Sequence, residues 1–142
     1  MKIGDCGYFR KGQANRPPDL EHRSCTHPEA ALVVVGKSLN VDCPDSRFSW
    51  SAGRKPGTKR RYVCTHLNAQ VGDCFSNVKY GEGHLFEIRK VPCTTPRAFQ
   101  VNTRVESDDI GVCKPVRSKY RETIDIAHKQ PPVSFCLHRV GT

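Results

Sequence analysis

The chain predicts an α+β fold that is mostly β: two tandem, disulfide-stapled β-rich modules, each with one short helical turn. Three observations carry that expectation. The eight cysteines form two sets of four: Cys6, Cys25, Cys43 and Cys64, with gaps of 19, 18 and 21, then Cys74, Cys93, Cys113 and Cys136, with gaps of 19, 20 and 23. Each set opens on Gly-Asp-Cys, as Gly4-Asp5-Cys6 and Gly72-Asp73-Cys74, behind Ile3 or Val71. At an offset of 68, Cys25-Thr26-x-Pro28-x-Ala30 lines up with Cys93-Thr94-x-Pro96-x-Ala98, and Val33 with Val101. Self-similarity of this kind marks an internal duplication, dividing the chain into module one (1–68) and module two (69–142). The offset then grows to 70 at Cys43/Cys113 and 72 at Cys64/Cys136, and His66 and His138 each stand two residues past the fourth cysteine.

The first module's strands are read at Leu20–Cys25, Ala30–Val35, Arg47–Ser51 and Arg60–Leu67, with a turn over Gly53–Thr58 rich in Gly, Pro and basic residues. Trp50 and Tyr62 flank that turn and are read as core residues. Only Asn68-Ala69-Gln70 links Leu67 to Val71, so the modules should touch. In the second module Leu85–Cys93 alternates partly, and Ala98–Val105 alternates through Phe99, Val101, Thr103 and Val105. Thr123–Ala127 and Val133–Val140 follow, joined by the turn His128-Lys129-Gln130-Pro131-Pro132. The helical turn is placed around the third cysteine, with Ser107-Asp108-Asp109 capping Ile110–Cys113, and with Asp42 before Cys43-Pro44 in module one.

A domain of about 70 residues buries only about 60% of its unfolded surface and is marginal without crosslinks. Eight cysteines permit roughly a hundred pairings, and bonds kept within a module in one repeated pattern leave three. The favoured pattern joins neighbours: Cys6–Cys25, Cys43–Cys64, Cys74–Cys93 and Cys113–Cys136. Closing loops of this size stabilises by about 3 kcal/mol per bridge in the chain-entropy model. Zinc sites and redox dithiols need cysteine pairs a few residues apart, whereas the closest two here, Cys64 and Cys74, are ten apart. Disulfides, no metal and no cofactor are therefore expected, in a compartment outside the reducing cytosol. The longest apolar run, Ala30 to Val35, is far short of the ~20 residues a spanning helix needs. Met1 stands just ahead of Gly4-Asp5-Cys6, so the targeting segment of an exported protein is read as having been removed.

The charge is strongly basic, 23 Lys and Arg against 14 Asp and Glu. The densest cluster runs Arg54-Lys55-Pro56-Gly57-Thr58-Lys59-Arg60-Arg61. A turn on Pro56-Gly57 would project Arg54, Lys55, Lys59, Arg60 and Arg61 outward, where they attract phosphates or carboxylates. Arg117, Lys119, Arg121 and Lys129 echo it in module two. Stacking aromatics are sparse near the loop, which disfavours nucleic acid. His66 and His138 are candidate acid–base groups, read in the first instance as structural. Asp5 and Asp73 are read as closing turns through backbone N–H groups. Glu106-Ser107-Asp108-Asp109 lacks the regular oxygen spacing of a calcium loop, and no G-x-S-x-G, H-E-x-x-H or phosphate-binding glycine loop occurs.

Gly4-Asp5-Cys6, Pro18-Asp19-Leu20, Cys25, Cys43 and Tyr62-Val63-Cys64, with Val71-Gly72-Asp73-Cys74, Val91-Pro92-Cys93, Cys113 and Phe135-Cys136-Leu137, resemble the LppU-type lipoprotein family of actinobacteria, counted as two copies. The family pattern as usually met has one such module, and the lipidation signal is not in this sequence. The resemblance implies an exported, cell-envelope-associated protein, with membrane attachment through an N-terminal lipid anchor as one form of it, and it transfers no catalytic residues. The resulting expectation is a non-enzymatic binding or scaffold protein whose basic surface engages an anionic partner: an envelope polymer, a lipid headgroup or an acidic envelope protein. The alternative is an envelope enzyme using His66 and His138.

Overall fold

The structure, a computed structural model, describes residues 2–10, 19–38, 43, 48–51, 62–79 and 85–140. Among the described residues, ten strands make two five-stranded antiparallel sheets. The first sheet contains β1 (Cys6–Arg10), β2 (Asp19–Arg23), β3 (Leu32–Ser38), β4 (Ser49–Ser51) and β5 (Tyr62–Leu67). The second contains β6 (Cys74–Ser76), β7 (Arg89–Val91), β8 (Phe99–Val105), β9 (Thr123–Lys129) and β10 (Pro132–Arg139). Strand order is β2-β1-β3-β5-β4 in one and β7-β6-β8-β10-β9 in the other, the same order with every label raised by five.

The repeat is reproduced down to single hydrogen bonds. Each half opens on a turn in which the Asp5 or Asp73 N–H donates to the carbonyl of Lys2 or Gln70, both at 3.0 Å. Gly4 and Gly72 hold φ of 96° and 99° there, the third-position geometry of a type II turn, which strains any residue with a Cβ. The Asp5 and Asp73 carboxylates accept the N–H of Lys2 at 2.7 Å and of Gln70 at 2.8 Å, closing each turn a second time. Both sheets also carry a bulge at one place. Val34 faces Thr65 and Gly36 faces Cys64, leaving Val35 unpaired, while Val101 faces Leu137 and Thr103 faces Cys136, leaving Asn102 unpaired.

That register corrects one alignment. The Gly4 N–H reaches the Val34 carbonyl at 2.7 Å, and the Gly72 N–H reaches the Val101 carbonyl at 2.8 Å. Val101 is thus the counterpart of Val34, not of Val33, because module one carries one extra residue between Ala30 and β3. In a strand a one-residue slip exchanges faces, and Val34 and Val101 are both buried, at 1% exposure each.

The sheets close over one interior. A single cluster draws Phe9, Leu20, Leu32, Val34 and Leu67 from the first sheet and Phe75, Phe99, Val101, Ile126, Phe135 and Leu137 from the second. The short linker contributes Ala69 to it. A smaller cluster under the third and fourth cysteines of module two joins Val112, Cys113 and Cys136. The four bridges are Cys6–Cys25, Cys43–Cys64, Cys74–Cys93 and Cys113–Cys136, the neighbour pairing, and no cysteine is free.

Other boundaries moved. The N-terminal strands β1 and β6 were not expected. The strand read at Leu85–Cys93 is a 3₁₀ turn at Leu85–Glu87 followed by the short β7. The helical turn read at Ile110–Cys113 lies one turn later, at Lys114–Val116, and begins at Cys113 with no side-chain cap. The Asp109 carboxylate instead accepts the Gly111 N–H at 2.9 Å, and the Asp109 N–H goes to the Ser134 hydroxyl at 2.8 Å. The 3₁₀ turns at Leu85–Glu87 and Lys114–Val116 belong to module two, while in module one Phe48 is itself in 3₁₀ conformation just ahead of β4; Asp42 and Pro44 lie outside the described residues. His128 and Lys129 belong to β9 and not to the turn.

Candidate functional site

His66 and His138 are equivalent in space as well as in sequence, facing Val33 and Gln100 at corresponding ladder positions. Each imidazole lies against another ring. His138 stacks on Tyr120 of its own module, with centroids 3.8 Å apart and planes at 13°. His66 stacks on His128 of the other module, at 4.0 Å and 14°. The edge of Phe48 meets the His128 ring at 4.7 Å. His66, His128 and His138 are buried, at 5%, 0% and 8% exposure.

Hydrogen bonds fix the tautomers. The Leu67 N–H donates to His128 Nε2 at 3.3 Å, so that nitrogen is unprotonated and the ring proton sits on Nδ1. The Thr103 hydroxyl donates to Asn102 Oδ1, which turns the Asn102 amide nitrogen toward His138 Nδ1 at 2.9 Å. His138 Nδ1 is therefore an acceptor as well. Burial also lowers the His138 pKa, since the cation would lose its hydration. His128 and His138 are packed imidazoles with one ring nitrogen engaged as an acceptor, and His66 is packed against His128. Beside His66 lies a small cleft lined by Val35, the Cys43–Cys64 bridge, Thr65, Lys129 and Gln130, with room for little more than a water molecule.

The five loop cations Arg54, Lys55, Lys59, Arg60 and Arg61 lie outside the described residues, as does the Gly53–Thr58 turn, and the side chains of Trp50 and Tyr62 are likewise not described. The basic residues of module two are described. Lys114, Arg117, Lys119 and Arg121 are exposed on a knuckle of successive i→i+3 turns between Gly111 and Lys119. The Cys113–Cys136 bridge anchors it at the root. Arg117 is held at 3.2 Å by Asp125, whose other oxygen accepts the Cys113 N–H at 2.6 Å. Lys129 is exposed at the β9–β10 hairpin.

Sequence reasoning missed three residues. His128 was read as turn, although it continues the Ile124, Ile126, His128 alternation that would have placed it on the core face. Tyr120, half-buried, carried no periodic signal. Arg89 is half-buried against the Tyr8 ring of module one, 4.5 Å from its centroid, while Arg23 approaches the same ring at 5.5 Å. Burial lowers the Arg89 pKa, partly offset by Tyr8. Arg89 thus serves as a clasp between the halves.

Among the described residues no group of three or more His, Cys, Asp or Glu is placed to hold a metal ion, and no helix is long and apolar enough to cross a membrane. No protein-family model, curated protein or solved structure matches the chain. The four disulfides favour an oxidising, extracytoplasmic environment.

Proposed function

We propose that this protein is an exported, cell-envelope-associated binding module without catalytic activity, which engages an anionic partner through its basic surface. One observation carries the reading: ion pairing leaves a surplus of exposed cations on a crosslinked frame. Glu21 and Glu29 pair with Arg10 and Arg23, Asp73 with Lys90, Glu106 with Arg104, Asp125 with Arg117, and Glu122 with Lys79 and Arg139. Lys119, Arg121 and Lys129 are exposed outside all of these pairs, and the chain as a whole carries +9. Such a surface draws anions from a distance and binds them by counterion release. The histidines support a non-catalytic role, since all three are buried in ring stacks and His128 and His138 each accept a fixed hydrogen bond. Membership of the LppU-type family, with lipid anchorage, belongs to the same proposal and is supported by the cysteine spacing.

The test is capture of envelope fragments by the full chain across a salt series. Capture should fall steeply between about 50 and 200 mM salt, and fall further when Arg54, Lys55, Lys59, Arg60 and Arg61 are all replaced by Ser. Capture indifferent to salt, or no capture at low salt, overturns the reading.

A further inference from the structure

We propose that the knuckle Lys114–Arg121 is a docking site for a linear phosphate-bearing polymer, gripped chiefly by Lys119 and Arg121; this rests on the anionic-partner reading above. Three features of the knuckle carry it. Its backbone is set before any ligand arrives, by the Cys113–Cys136 bridge, by the i→i+3 bonds from Lys114, Val116 and Lys119, and by Asp125 on the Cys113 N–H. Tyr120 is turned inward onto His138, which leaves its two neighbours, Lys119 and Arg121, exposed on either side of an anchored residue. Arg117 is already oriented by Asp125, while among the described residues neither Lys119 nor Arg121 has an ion-pair partner. The Cα atoms of Lys119 and Arg121 are at most about 7 Å apart, so the two cations can meet successive charges along one chain. A backbone fixed in advance spares the backbone part of the ordering cost, and the two exposed side chains lose rotamer freedom only on meeting the ligand.

The surroundings select among anions. Ile110, 81% exposed, is the nearest apolar tip along the chain, but exposed Asp108 and Asp109 precede it and would be repelled by an anionic bilayer. His138 occupies one face of the Tyr120 ring, which leaves at most the other for a base, whereas single-stranded binders stack successive bases on several aromatics. A flexible chain of phosphates without bases fits what remains.

The experiment titrates the full chain with labelled inorganic polyphosphate and follows anisotropy at several salt concentrations. Wild-type protein is compared with Lys119→Ser/Arg121→Ser and with the five-Ser loop variant, each checked for all four disulfides. The double variant should bind roughly tenfold more weakly at low salt, and its log–log salt slope should shrink by between one and two. The loop variant should keep a component that only the knuckle substitutions remove. Unchanged binding by the double variant sinks the knuckle and leaves the anionic-partner reading standing. Failure of wild-type protein to bind any anionic matrix sinks both. Tighter binding to single-stranded DNA or to anionic vesicles than to polyphosphate of equal charge also overturns the assignment.

Discussion

Replacing His128 by Ala tests whether the two halves form one cooperative unit. The ring is fully buried, stacks on His66 at 4.0 Å, and accepts the buried Leu67 N–H at 3.3 Å. Leaving a buried N–H without an acceptor costs about 1–3 kcal/mol. Losing the ring stack costs about 0.5–1.5 kcal/mol more. These terms share one side chain and do not simply add, so the expected destabilisation is about 2–4 kcal/mol. For a chain of this size that lowers Tm by roughly 5–15 °C. His128→Phe separates the contributions, because it keeps a ring against His66 and removes only the acceptor.

The assay is urea unfolding followed by far-UV circular dichroism, with amide exchange at Leu67 as the local probe. Both variants should lose protection at Leu67, and His128→Phe should recover part of the lost stability. Because one cluster spans both sheets, each protein should unfold in a single transition. A His128→Ala protein within about 0.5 kcal/mol of wild type, the usual range for an inconsequential surface change, would refute the reasoning. So would two separate transitions in the wild-type protein.

The depressed pKa of His138 sets a pH dependence with a definite sign. Above the ordinary histidine value of 6.5 both folded and unfolded states are neutral; as pH falls through it the unfolded chain takes up a proton that the folded one refuses, so stability is lost from 6.5 downward until the lowered folded pKa is reached. Denaturation at pH 7.5 and 5.5 should show that loss, and His138→Gln should flatten it. The bridges should also differ in access. Cys25 and Cys93 are exposed whereas Cys113 and Cys136 are at 0%, so limited reduction with mass-spectrometric mapping should open Cys6–Cys25 and Cys74–Cys93 before Cys113–Cys136; the reverse order would contradict the burial.

How much was legible follows from what each signal encodes. The cysteine spacing carried the duplication and the pairing, because a bridge between neighbours in each set needs only local chain return. The closing role of Asp5 and Asp73 was readable because Gly-Asp turn chemistry is local. The alignment of Val33 with Val101 failed because a single extra residue leaves apolar side chains at both positions, and only the Gly4–Val34 and Gly72–Val101 hydrogen bonds decide the register. The helical turn was misplaced because Asp109 bonds Gly111 and Ser134 instead of capping a helix. The knuckle cations were visible as charge, but their fixed presentation depends on Tyr120 stacking on a histidine 18 positions away in sequence, which no local pattern announces.

The duplication also explains why the first module leans on the second. Strands β4 and β9 are counterparts, Ser49 facing Cys64 as Asp125 faces Cys136. β9 runs two residues further at each end. At its start it continues into Glu122, whose carbonyl accepts the Arg139 N–H at 3.0 Å and satisfies the end of β10. The matching N–H in module one is that of Leu67, which lies beyond the start of β4 at Ser49. The far end of β9 supplies its acceptor, because His128 brings Nε2 to the Leu67 N–H and its ring to His66. One lengthened strand thus completes its own sheet and supplies an acceptor to the other. Module one expressed alone would leave that buried N–H unpaired and Phe9, Leu20 and Leu32 facing water, and so should not hold a native fold even with its two bridges intact.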